Sequence, residues 1–257
     1  MTSIKPATVA SSYTAAPDLL KDRVILVTGA GDGIGRAAAI AFAAHGATVI
    51  LLGKTIAKLE AVYDEIEDAG YPQPAIYPLK LGGATFEDYQ TLAETIENEF
   101  GRLDGLLQNA GILGERKNIL DTKPSDWNEV LNVNLTSNFL LTKALLPLLM
   151  KSEDASIVFT SSSVGRKGRA FWGAYAVSKF GVEGLAQILA DELDTTTQIR
   201  VNCINPGPTN TAMRRMAYPA EHPAVNPFPE QIMPAYLYLM GADSKGITGK
   251  SFDAQNK

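Results

Sequence analysis

The sequence is poor in the residues on which several function classes depend. One cysteine, Cys203, in 257 residues excludes an internal disulfide framework and a thiolate metal cluster. It stands in an apolar, strand-like run and is expected to be a buried structural thiol. The two histidines, His45 and His222, are far apart and lack ligand-like spacing, so no metal site is expected. No apolar run approaches the roughly 20 residues that span a bilayer. Nor is there an excess of positive charge: 23 Lys and Arg against 28 Asp and Glu leave a formal net charge of -5. That balance argues against non-specific binding to nucleic acid or to an anionic membrane. The first 20 residues are rich in Ser, Thr and Ala. They lack the cationic start and long apolar stretch of a secretory signal, and hold few cations for a transit peptide. A cytoplasmic protein is expected, with residues 1–20 forming a flexible arm that packs on the body or on a neighbour.

What is present is ample core material, 46% hydrophobic against 20% charged residues. Residues 23–28 form a short apolar, β-branched run and read as a buried strand. An alanine-rich helical stretch, 36–45, follows and stops at Gly46. A strand at 48–52, a helix at 55–69, a strand at 75–79, a helix at 86–100 and a strand at 103–108 continue the alternation. In the second half, Ser125 is expected to cap a helix running toward Met150. Strands are expected at 155–160 and 199–204, a helix at 231–240, and a last turn and strand within 246–253. Strands alternating with helices predict an α/β fold: a single doubly wound Rossmann-type domain, residues 21–257, around a central parallel sheet.

The first strand runs straight into Gly29, Gly31, Asp32, Gly33, Ile34 and Gly35, and from there into a helix. At such a junction free backbone N–H groups and the helix dipole face an anion. Glycines there let the backbone approach a pyrophosphate. Dinucleotide binding is therefore expected. The end of the second strand selects the cofactor: an acid suits the ribose hydroxyl of NAD, a base the 2′-phosphate of NADP. The run Leu52-Gly53-Lys54-Thr55 has no acid. NADP(H) is favoured over NAD(H), with Lys54 as a point-charge partner and Thr55 as a further hydroxyl. Arg36 is a second candidate cation.

Of nine tyrosines, only Tyr175 has a lysine four residues on, Lys179. On a helix the two share a face. An ammonium there can lower a phenol's pKa and let it exchange a proton with an alcohol or carbonyl oxygen. By itself the pair reads as a surface helix with an aromatic and a charge side by side.

Its company changes that reading. The spacing Thr28-Gly29-x-x-x-Gly33-x-Gly35, the run Asn109-Ala110-Gly111, and Ser162 thirteen residues before Tyr175 together resemble the short-chain dehydrogenase/reductase family. The resemblance covers nearly the whole chain after residue 20. It implies a small-molecule carbonyl or alcohol substrate. Tyr175 would protonate the carbonyl oxygen or take the alcohol proton, and Ser162 would polarise the carbonyl. Ser161 and Ser163 would be structural hydroxyls. Lys179 would lower the pKa of Tyr175 and bind the nicotinamide ribose, and the backbone carbonyl of Asn134 would hold a relay water. Asn109, Ala110 and Gly111 would lie against the cofactor, and Pro206, Gly207, Thr209 and Thr211 beside the nicotinamide. Residues 212–230, divided by prolines, would form a substrate lid. A homodimer or homotetramer is expected by analogy.

Two positions depart from the family pattern: Gln108 replaces an asparagine, and Lys80 stands where an aspartate commonly meets the adenine. Residues 158–166, 200–207 and 252–255 look like the YciK-like bacterial subgroup. Arg166, Lys167, Arg169, Arg214 and Arg215 flank the expected pocket, as solvated charges or as an attraction for acidic or carrier-linked substrates. Phe171 and Trp172 are candidates for its wall. Two other functions are compatible with the pattern: a 3-oxoacyl-thioester (acyl-carrier-protein) reductase, and a non-catalytic NADP-sensing protein.

Overall fold

Unbroken apolar runs become buried strands, and helices cover the sheet they form. The computed structural model describes residues 6–10 and 12–255. In chain order the strands are β1 (Ala7–Thr8), β2 (Val24–Thr28), β3 (Thr48–Gly53), β4 (Ala75–Pro78), β5 (Gly105–Gln108), β6 (Ser156–Thr160), β7 (Arg200–Asn205) and β8 (Ser251–Asp253). The helices are α1 (Gly33–Ala44), α2 (Ile56–Asp68), α3 (Phe86–Phe100), α4 (Pro124–Leu131), α5 (Ser137–Leu149), α6 (Gly173–Asp194), α7 (Ala212–Ala217) and α8 (Met233–Met240). The eight strands pair in parallel in one sheet, in the order β1-β8-β7-β6-β5-β2-β3-β4.

Strands β2 and β6 are buried at every position, because helices cover both faces. Phe42, Tyr236 and Leu239 help fill the core on the side of α1 and α8. Tyr89, Leu145 and Val182 do so on the side of α3, α5 and α6. The chain moves outward from β2 to β4, then returns to β5 and proceeds the other way. The reversal leaves a crevice at the carboxyl ends of β2 and β5, where doubly wound sheets bind ligands.

Several local expectations need correction. Ser125 does not cap the helix: Lys123 precedes the first turn, and Pro124 opens α4 with a φ already set for helix. The Ser125 hydroxyl donates to Asp126 Oδ1 at 3.2 Å. The helix expected to run unbroken toward Met150 is interrupted by a π-helical turn, Asn132–Thr136. The last helix begins later than residue 231, after a 3-10 turn at Pro229–Ile232. Pro234 has no N–H to offer the carbonyl four residues back, so an α-helix cannot extend through it in that direction.

The amino-terminal segment, within its described residues, runs along the body. Ala7 and Thr8 pair with Phe252 and Asp253 at the sheet edge. The Tyr13 hydroxyl donates to Asp243 Oδ2 at 2.8 Å, and its ring packs edge-on against Tyr238. Leu20 is fully buried. The arm's first five residues and residue 11 lie outside the described residues. The proline-rich stretch after β7 is broken into pieces, α7 and a 3-10 turn at Pro223–Val225.

Candidate active site

A cleft of about 470 Å³ opens at the carboxyl ends of β2, β3 and β5. Its floor is the glycine-rich turn. Gly29 has a φ of 69°, a left-handed conformation open to glycine. A side chain at Gly35 would put its Cβ 2.2 Å from the Gly29 carbonyl oxygen, so no other residue fits. Asp32 precedes α1 without capping it through its side chain, and the first turn holds no acidic residue. Apart from the Gly33 N–H, which meets the Asp32 carboxyl, the first N–H groups of that turn have no capping side chain. Gly31, Asp32, Gly33 and Ile34 all line it; Gly35 lies behind the turn, where it permits close packing.

The opposite wall is pinned to this turn by one hydroxyl. Thr28 Oγ1 accepts from the backbone N–H groups of Asn109 and Ala110, both at 2.9 Å. Asn109, Ala110 and Gly111 line the cleft. Gln108 does not. It is buried, and its Nε2 donates to Thr142 Oγ1 at 2.6 Å and to the Asn138 carbonyl at 3.3 Å.

At the β3 end the lining carries lysines: Lys54, Lys58 and Lys80. Lys58 was not singled out from the sequence, although it stands one helical turn beyond Lys54. It is ion-paired with Asp32, whose carboxyl this bond holds below its ordinary pKa. Arg36, the second candidate cation, is paired with Glu65 and lies near Glu230, and it is not part of the lining. Thr55 lines the cleft and makes no side-chain cap to α2.

The other end holds the proton-transfer candidates. Tyr175 and Lys179 project from one face of α6 and both line the cleft. Lys179 is buried; its Nζ donates to the Thr160 carbonyl at 2.7 Å and lies 5.7 Å from the centre of the Tyr175 ring. Burial lowers the Lys179 ammonium to a pKa of about 8. Burial pushes the Tyr175 hydroxyl up to about 12, partly opposed by a hydrogen bond with Ser162. The balance on the tyrosine is thus set by desolvation against the Ser162 hydrogen bond, and the net direction is upward rather than the lowering expected from Lys179. Among the three serines only Ser162 meets Tyr175. Ser163 is exposed. Ser161 lines the cleft, and its buried hydroxyl has no partner among the described residues.

Asn134 sits in the π-helical turn, fully buried behind the cleft. Its Oδ1 accepts from the Ile112 N–H at 2.8 Å, and its Nδ2 donates to the Ile112 carbonyl and to Ser178 Oγ. Its own carbonyl accepts from Asn138 Nδ2 at 3.0 Å. The side chain therefore clamps the loop after β5 to α6.

Beyond β7, Pro206 and Thr211 line the cleft, whereas Gly207 and Thr209 do not. Thr209 is buried and its hydroxyl bonds the carbonyls of Pro206 and Gly207, so it shapes the turn. Thr211 caps α7 by accepting from the Arg214 N–H. Among the flanking cations, Arg166 is bound to Glu183 and Asp253, Arg214 to Glu221, and Arg215 to Asn210. Phe171 points to solvent. Trp172 packs on Tyr175 and Tyr218, with the guanidinium of Arg116 over both Trp172 and Tyr218. Arg116 and Tyr218 carry no motif in the sequence; only folding brings them to Trp172.

The cleft fits a dinucleotide cofactor on its own chemistry. A bare glycine turn and an open helix terminus suit a pyrophosphate, lysines suit a further phosphate, and an orphaned buried hydroxyl, Ser161 Oγ, awaits a polar partner. Among the described residues no helix is long and apolar enough to cross a membrane.

Comparison with known proteins agrees with this geometry. A family model described as short chain dehydrogenase matches residues 23–222. The uncharacterized oxidoreductase YciK of Escherichia coli is 54% identical over 243 residues, covering 95% of this chain and 96% of the relative. A 3-oxoacyl-[acyl-carrier-protein] reductase of Thermotoga maritima is 34% identical over 90% of this chain and 95% of its own. The crystal structure of an Escherichia coli short chain dehydrogenase complexed with NADPH superposes with a TM-score of 0.91 at 54% identity, covering 94% of this chain and all of that one.

Proposed function

The chain belongs to the short chain dehydrogenase family, and from that premise we propose that it is an NADP(H)-dependent oxidoreductase acting on a carbonyl or secondary alcohol. The observation that carries this reading is the pairing of Tyr175 with Ser162 in a cleft whose far end bears Lys54, Lys58 and Lys80. NADPH in the Escherichia coli relative supports the cofactor.

The glycine-rich turn and the α1 terminus would hold the pyrophosphate, and Lys54 the 2′-phosphate. Bound nicotinamide supplies or accepts the hydride. Tyr175 donates its hydroxyl proton to the carbonyl oxygen in reduction. A hydroxyl held protonated to about pH 12 is suited to that direction. Ser162 hydrogen-bonds the same oxygen and polarises it. Lys179, fixed by the Thr160 carbonyl, presents its remaining N–H groups to the cofactor ribose. Ser161 offers its free hydroxyl to the cofactor. Trp172 walls the substrate side, and residues 212–230 act as the lid.

The 34% identity to an acyl-carrier-protein reductase supports a narrower second reading, a 3-oxoacyl thioester as substrate. Dependence of the rate on the carrier protein separates it from a reductase of free carbonyls. The exposed Phe139, Val177, Phe180 and Ile188 on α5 and α6 support the homo-oligomer. A cytoplasmic location is part of the same proposal.

The test is calorimetric titration with NADPH and NADH, followed by Tyr175→Phe. The variant is expected to bind NADPH as the wild type does and to lose on the order of a thousandfold in turnover. Full activity in Tyr175→Phe removes the assigned acid. Failure to bind either nucleotide removes the whole reading.

A further inference from the structure

Arg166 reads from the sequence as a surface charge near the pocket. It is instead four-fifths enclosed, with a side-chain exposure of 20%, and its guanidinium ties its own turn to two other elements, α6 and β8. Its Nε donates to Glu183 Oε1 on α6 at 3.3 Å and to Ser251 Oγ on β8 at 3.0 Å. Its Nη1 donates to Asp253 Oδ1 at 2.7 Å, and its Nη2 to Ser251 Oγ and the Phe252 carbonyl. We propose that Arg166 is a positioning residue for hydride transfer, holding the Lys179-bearing face of α6 and the turn after β7 in register through one hydrogen-bonded network. This rests on the oxidoreductase reading above.

Two arms of the network support it. On one side, Tyr175, Lys179 and Glu183 follow one another at intervals of four along α6 and so share a face. Arg166 directly follows Gly165, where a Cβ would stand 2.8 Å from Lys179 Cβ. The turn that carries Ser162 is therefore packed straight against Lys179, and Arg166 bolts its end to the next helical turn down. On the other side, Asp253 Oδ1 also accepts from Asn205 Nδ2 at 2.7 Å. Asn205 Oδ1 accepts from the Gly207 N–H at 3.1 Å. Gln255 Nε2 then donates to the carbonyls of Pro206 and Pro208, both at 2.8 Å. Pro206 lines the cleft. The stretches 158–166, 200–207 and 252–255, separate in the chain, thus meet in one network.

The energetics favour geometry over stability as the network's purpose. Taking one guanidinium and two carboxylates out of water costs about as much as their attraction returns. What the planar fork supplies is direction, because its N–H groups leave in one plane at fixed angles and meet acceptors on both α6 and β8. A lysine at the same place keeps the charge and loses the fork.

The experiment compares full-length wild type with Arg166→Lys and with the double variant Arg166→Met/Glu183→Leu. Three readouts are taken: the NADPH dissociation constant by fluorescence titration, turnover of phenanthrenequinone as a probe carbonyl, and the thermal midpoint. Arg166→Lys is expected to lose on the order of tenfold or more in kcat with KM little changed, and to bind NADPH severalfold more weakly. The double variant, with the Arg166–Glu183 pair replaced by apolar volume and Asp253 still held by Asn205, is expected to recover thermal midpoint without recovering kcat. Turnover that returns together with the midpoint overturns the proposal, as does a kcat for Arg166→Lys within twofold of wild type. If the wild type reduces no probe, the NADPH constants decide: a weaker Arg166→Lys supports the proposal and an unchanged one sinks it. A wild type that binds no NADPH overturns the oxidoreductase reading, and this inference with it.

Discussion

Burial acts on Tyr175 and Lys179 in opposite senses, raising the acid and lowering the base. Between neutrality and about pH 8 the pair is therefore a protonated phenol beside an ammonium. Carbonyl reduction is expected to fall as pH rises through about 8, when Lys179 loses its charge, and no tyrosine limb is expected below about 12. A profile of kcat/KM against pH checks this. The same shift has a consequence for stability. The folded lysine binds its proton less tightly than the unfolded one, so between about 8 and the ordinary 10.5 the unfolded chain holds more protons. The Lys179 contribution to stability therefore rises with pH across that window. Lys179→Met should abolish the rise, as read from urea midpoints at several pH values. At the far end of the cleft, Lys54→Ala is expected to weaken NADPH by about tenfold and NADH little. Lys58→Ala leaves the Asp32 carboxylate uncompensated beside the open α1 terminus. It should weaken both nucleotides, and titration with each distinguishes the two lysines.

The π-helical turn between α4 and α5 shows how a local irregularity serves the site. It gives Asn134 a position from which one amide spans the loop after β5 and α6. Such turns inside helices are frequent at functional sites. Asn134→Ala removes three hydrogen bonds, one buried and two part-buried, and is expected to cost about 2–4 kcal/mol. Urea unfolding measures that loss, and a parallel fall in kcat would reflect the freed loop. Neither the π turn nor its partner was legible in the sequence. The helical pattern from 124 to 149 reads as continuous, and Ile112, which explains the interruption, lies twenty-two positions upstream. The Ser125 cap failed for a simpler reason: Pro124 already defines the first turn.

For the whole molecule, the amino-terminal segment completes the sheet. Its strand covers the β8 edge, and Tyr13 packs on Tyr238, which in turn packs on Phe252. Deleting residues 1–16 is expected to lower the thermal midpoint by several degrees while leaving NADPH affinity within about twofold, since no described residue of that stretch lines the cleft. Calorimetry with and without NADPH checks both parts.

The sequence by itself determined the alternation of strands and helices, the parallel sheet, and the Gly29–Gly35 and Tyr175–Lys179 landmarks. Each of these is written in residues close along the chain, in runs, periods and fixed spacings. Tertiary structure alone decided which charges are free. It bound Arg166 to β8, spent Lys58 on Asp32, and turned Thr209 into its own loop. It also left the buried Ser161 hydroxyl without a partner among the described residues and set the directions in which the Tyr175 and Lys179 pKa values move. Those outcomes depend on burial and on partners tens of residues away, quantities that do not exist until the sheet has formed.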